Sequence, residues 1–241
     1  MSEKKTILVI SDHPLAPSGV GIQTKNFIET LIKSGKDRFI CLGGAGRHTN
    51  YEHQHITGEW WDEGDLIVHP VNGYGSVEHI RSMLWTAKPY MLWFMTDPRF
   101  YPWLWKIENE IRPLVPMVYY HVWDNKPYPT FNKRWYESTD VIASISKITS
   151  DIVQNVAPDV EEHYIPHAVD ENIFKRLTEE QIQTVKGNNP KAKDKFIVGW
   201  VNRNARRKQS GTLLFWWKDF CDRIGHDKAV LVMHTDLRDQ H

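Results

Sequence analysis

Short apolar runs that alternate with amphipathic stretches through residues 6–156, then resume after residue 195, predict an α/β protein. The expected architecture is a doubly wound parallel sheet followed by the start of a second sheet of the same kind. Parallel strands need crossover connections, so strand and helix patterns that take turns point away from antiparallel hairpins. A polar tract between the two series supplies the boundary.

The predicted strands are Thr6–Ser11, Phe39–Leu42, Leu66–His69, Tyr90–Met95, Met117–Tyr120 and Val141–Ser144, each apolar and bounded by polar or turn residues. Helical spacing of apolar residues, at intervals of three and four, covers Ile22–Ser34, Val77–Ala87, Trp103–Ile111 and Lys147–Val156. Residues 1–170 therefore read as one domain. Residues 171–194 are polar, with Gly187 and Pro190 as breakers, and read as a connecting helix and linker. Residues 195–241 open a second unit with strand Lys195–Val201, helix Thr212–Ile224 and strand Ala229–His234. Two strands cannot shield both faces of a parallel sheet, so the chain reads as cut off within this second unit.

Lysine plus arginine and aspartate plus glutamate number 30 each. That balance gives no single-sign field to gather nucleic acid or anionic lipid, so no nucleic-acid partner is expected and any anion site must be local. Only Cys41 and Cys221 are present, far apart, which supports neither a disulfide framework nor a zinc site and fits a reducing cytoplasm. The polar start carries no signal-peptide core, and no apolar run approaches the roughly 20 residues of a membrane span. Peripheral contact with a membrane face stays open.

Four segments carry candidate chemistry. The loop DHPLAPSGVG after the first strand brings Gly19 and Gly21 to a helix N-terminus, where bare backbone amides can meet a phosphate or sugar hydroxyl. The same pattern also serves a tight turn without ligand. His121 ends a predicted central strand, and ligands of open parallel sheets bind outside the carboxyl edge. The segment IPHAVDENIF, residues 165–174, reads as a structural joint in which Asp170 caps a short helix and Phe174 is buried. In the last, WVNRNARRK, cations gather after a strand, either as a solvated face or as a diphosphate site. Eleven tryptophans enrich the chain, and the run Thr96–Trp103 follows a strand at the same edge as His121, making Asp97 and Arg99 the acceptor-contact candidates.

These four segments, in this order, resemble the family 4 retaining glycosyltransferases of the GT-B fold, whose two Rossmann-like domains take the acceptor and the nucleotide sugar respectively. The resemblance implies transfer of a hexose from a nucleoside-diphosphate sugar to a sugar or glycan hydroxyl with retention of configuration. It places Gly19 and Gly21 at the donor diphosphate or acceptor and His121 at the transferred sugar. Arg203 and Lys208 would hold the diphosphate and stabilise charge on the leaving group, with no metal and no further cofactor. Asn202 and Ala168 stand where the family often has glycine. Glu171 and Glu179 share the spacing of the family's paired glutamates but lie in the joint and linker, before the second domain, and take no role. A different class, a non-catalytic module that recognises a glycan or partner, is the alternative. A nicotinamide-dependent enzyme is disfavoured because the third glycine of the dinucleotide fingerprint is missing.

Overall fold

In the computed structural model of the protein, residues 4–46, 48–58 and 61–238 are described. Trp60 and the terminal residues 239–241 of the second unit lie outside them. The chain divides into two compact units, Met1–Ala168 and Val169–His241.

The first unit is built from β1 (Lys5–Asp12), α1 (Gly19–Ile32), β2 (Asp37–Gly44), β3 (Gln54–Gly58), β4 (Trp61–Pro70), α2 (Val77–Thr86) and β5 (Met91–Thr96). It continues with α3 (Pro102–Trp105), α4 (Glu108–Ile111), β6 (Met117–His121), α5 (Lys133–Glu137), β7 (Val141–Ser144), α6 (Lys147–Val156) and β8 (Glu161–Tyr164). The strands form one sheet in the order β3-β4-β2-β1-β5-β6-β7-β8, parallel except for β3. Strand order turns outward in both directions from β1, so the β1–β5 junction is where loops from the two halves diverge.

Two cores follow from the alternation along each strand. Leu8, Ile10, Leu42, Phe94, Tyr119 and Ile142 face α2 to α6. Ile7, Val9, Phe39, Val68, Trp93 and Met95 face α1, where Phe27 stacks on Trp93 at 4.3 Å between ring centroids. The predicted helix Trp103–Ile111 is two single turns instead, because Ile107 breaks the run with φ −114° before α4 begins. An apolar groove of about 320 Å³ lies beside α1, lined by Phe27, Trp93 and Tyr120.

The second unit holds α7 (Glu179–Gly187), β9 (Phe196–Val201), α8 (Ser210–Ile224) and β10 (Ala229–His234), with β9 and β10 paired in parallel. Thr178 and Gln181 close a reciprocal capping box at the start of α7. Phe196, Val201, Phe215 and Trp216 are exposed, as expected where one helix meets two strands.

Candidate functional site

Register brings the strand ends of the first unit into one row. Asp12 pairs with Gly44, Gly43 with Pro70, Thr96 with His121, and His121 with Ser144. Asp12 lies two residues beyond the Ile10–Phe94 pair, so it belongs to the same row as Thr96.

At β1 the buried Asp12 accepts hydrogen bonds from Ser18 Oγ at 2.5 Å and from Tyr74 Oη at 2.8 Å. Ser18 is the N-cap of α1, and its Oγ in turn accepts from the Gly21 amide at 2.9 Å. One carboxylate thus ties the glycine loop to the loop after β4. Gly19 is exposed, and a Cβ there would meet nothing within 4 Å. Gly21 is buried, and a Cβ there would come within 2.8 Å of the carbonyl oxygens of both His13 and Ala16. The two glycines therefore do different work: Gly19 leaves backbone open at the helix start, and Gly21 lets the loop fold back on itself.

The next strand end is strained. Thr96 has φ 148°, a conformation β-branched residues rarely adopt, and the Tyr119 hydroxyl donates to its carbonyl at 2.7 Å. Asp97 then caps a 3-10 turn by accepting from the Arg99 amide, and its carboxylate grips the Arg99 guanidinium through two bonds of 2.8 and 2.7 Å. The guanidinium lies over Trp123, 5.8 Å from the ring centroid. Asp97 and Arg99 are brought together, each as the other's partner.

His121 is fully enclosed. Its Nε2 is 2.7 Å from Tyr136 Oη, which also accepts from Asn132 Nδ2 at 3.2 Å, while Nδ1 has no hydrogen-bond partner among the described residues. In this arrangement the ring reaches a ligand only through neighbours such as Thr96 and Asp97. Burial pushes its imidazole down to about 3, against a weaker upward pull from Asp97. The ring is neutral at physiological pH.

A folded-state value below the unfolded one, near 6.5, means that the unfolded chain takes up the proton first as pH falls from about 6.5 towards 3. His13, His69 and His167 are lowered in the same direction, chiefly by burial. The thermal midpoint is therefore expected to drop between about pH 7.5 and 5. A midpoint that rises over that interval contradicts this reading of the histidines.

In the second unit the loop between β9 and α8 holds the cationic segment. Arg206, Arg207 and Lys208 form a 3-10 turn, and Gln209 follows in the left-handed region at φ 59°. Behind the turn is a cavity of about 480 Å³ lined by Asn204, Ala205, Arg206, Gln209, Ser210, Gly211 and Thr212. Ser210 Oγ donates to Asn204 Oδ1 at 2.8 Å, which pins the loop to the helix start. The 15-residue α8 directs its first amides here, where the partial positive charge of its N-terminus adds to the arginine. Arg203 is exposed on the same loop and Lys208 is half-buried in the turn, but Arg206 is the cation that lines the cavity. Sequence reading held Arg206 in the cationic stretch without singling it out and missed Ser210 and Gly211; a serine-glycine pair opening a helix directly after a cationic loop was the available signal.

Within the joint, Asp170 accepts from the Asn172 amide at 2.8 Å, but it closes a turn and not the short helix expected there. Phe174 is 70% exposed, so the expectation that it buries one turn later is corrected: α7 and the strands of its unit leave it without a covering element. Among the described residues no helix is long and apolar enough to cross a membrane, and no three His, Cys, Asp or Glu side chains gather as a metal site.

No protein-family model and no curated protein matches the chain. Solved structures do. The chain is similar to HepE (Alr3699) of Anabaena in complex with UDP, at 15% identity and TM-score 0.61 over 98% of this chain and 62% of that one. The same protein in complex with UDP-glucose gives 13% identity and TM-score 0.58, over 96% and 69% of the two chains. OtsA in its apo form gives 10% identity and TM-score 0.62, over 96% and 65%. The chain thus spans about two thirds, or slightly less, of the length of these structures. With its mostly parallel eight-stranded sheet flanked by helices, the chain has the Rossmann-like architecture of the GT-B fold.

Proposed function

We propose that the chain belongs to a retaining, nucleotide-sugar-dependent glycosyltransferase that moves a hexose to a sugar or glycan hydroxyl. The observation that carries this reading is the β9–α8 loop. A diphosphate needs amide donors, fixed cations and room, and this loop offers the start of a long helix, Arg206 and a cavity of about 480 Å³. Support also comes from the fold neighbour solved with UDP and with UDP-glucose.

In this reading Arg203, Arg206 and Lys208 neutralise the charge that develops on the departing nucleoside diphosphate, an electrostatic role that calls for no metal. In the first unit, Gly19 offers open backbone at the start of α1, and the strained edge at Thr96, Asp97 and Arg99 receives the acceptor. His121 acts as a positioning residue, holding the end of β6 through Tyr136. The cytoplasm is the compartment proposed, in keeping with two free, buried cysteines.

The test is to incubate the protein with UDP-glucose, or a GDP-hexose, and a glycan acceptor, and to read the anomeric signal of the product by proton NMR. An α-linked product from the α-configured donor is expected. A β-linked product contradicts retention, and no product from either donor contradicts transfer.

A further inference from the structure

A second polar cavity lies on the outer half of the sheet. It occupies about 400 Å³ between α2 and strands β2 and β4, and Arg38, His53, His69 and Ser82 are its main polar lining. The register explains how the two histidines meet. Gln54 pairs with Val68 across the antiparallel β3–β4 ladder, so the next pair outward is His53 with His69. Cross-strand neighbours share a face of the sheet. Their rings lie 3.7 Å apart between centroids with a tilt of 35°, and neither imidazole has a hydrogen-bond partner among the described residues. Among the described residues, the Arg38 guanidinium makes one hydrogen bond, its Nε donating to Thr6 Oγ1 at 2.7 Å.

Among the described residues no carboxylate lines this cavity. The acid nearest along β4, Asp65, gives both oxygens to Lys4 Nζ at 2.7 Å. Glu52 is bonded by Asn50 Nδ2, and Glu78 stands exposed in the first turn of α2. The other charged or titratable groups about the rings are His55 on β3 and His79 on α2, whose Nδ1 is 3.1 Å from Ser76 Oγ. The charged neighbours that act on His69 are thus all histidines. Imidazoles this close resist both being charged without a counter-ion, because like charges at this separation repel. Accordingly His69 is held down to about 4, first by burial and then by His53, His79 and His55. An anion in the cavity would reverse that balance.

We propose that the cavity lined by Arg38, His53 and His69 is a proton-linked site for a phosphate group, inorganic or carried by a small phosphomonoester. The guanidinium supplies a permanent pair of donors, and the imidazoles become donors as they protonate. A bound anion offsets the repulsion between the two rings, so phosphate binding and protonation of His69 favour one another. The site is independent of the diphosphate loop in the second unit.

Inorganic phosphate titrated at about pH 6, with the histidine ring protons followed by NMR, tests this. The His53 and His69 signals are expected to shift saturably and the His69 titration to move upward. Arg38→Gln and, separately, His53→Asn are expected to abolish the saturable shift. His53 is exposed, so its variant keeps the test valid if Arg38→Gln fails to fold. The double variant Arg203→Ala/Lys208→Ala is expected to leave the shift intact, which separates this site from the diphosphate reading. Shifts reproduced by sodium chloride at equal ionic strength, or saturable shifts that persist in both Arg38→Gln and His53→Asn, overturn the proposal.

Discussion

Arg203→Ala and Lys208→Ala are each expected to weaken UDP binding by about 10- to 100-fold, the effect of losing one charge-assisted contact of ~1.5–3 kcal/mol. Arg206→Ala is expected to match or exceed them, since Arg206 lines the cavity at the start of α8. Arg203 and Arg206 are exposed and Lys208 is half-buried in a turn, so none supports a core. Thermal midpoints are expected to stay within about 2 °C of the parent, because surface substitutions usually change stability by less than ~0.5 kcal/mol. Calorimetric titration alongside a thermal melt separates the two effects. Equal losses of stability and affinity contradict the assignment of these residues to a ligand.

Gly21→Ala is expected to destabilise the first unit by about 1–3 kcal/mol, while Gly19→Ala is expected to be neutral or mildly stabilising. The physical difference is local. A methyl at residue 21 meets two backbone carbonyl oxygens at 2.8 Å, which cannot swing aside as a side chain can, whereas one at residue 19 meets nothing. Because Gly21 also donates to Ser18 Oγ, which is tied to Asp12, displacement of the loop would travel to the Tyr74 contact. Denaturant unfolding of the two variants reads this directly. A Gly21→Ala protein as stable as the parent contradicts the packing described for the loop.

The parallel core was legible because β1, β2, β5, β6 and β7 are buried on both faces and read as continuous apolar runs between turn residues. The edges were not. Strand β3, sequence QHITG, and strand β8, sequence EEHY, are largely exposed and polar, so neither carries the apolar signal by which strands are recognised. Helix α5, at five residues, is too short for its periodicity to stand out. In the first unit, residue types at strand ends pointed to the carboxyl edge, where Asp97 and His121 both stand. What the sequence could not convey was accessibility: His121 is sealed in by Tyr136 and Asn132, which lie 15 and 11 positions further on. The Asp12–Tyr74 bond, which joins residues 62 positions apart, was equally hidden from local pattern.

The loop between β9 and α8 as a nucleoside-diphosphate site is the claim on which the rest turns. Calorimetric titration of the protein with UDP tests it most directly. The account predicts saturable binding with a dissociation constant below about 1 mM, lost in the Arg203→Ala/Arg206→Ala/Lys208→Ala variant. Heats no greater than dilution at millimolar UDP, or binding unchanged in that variant, would contradict it.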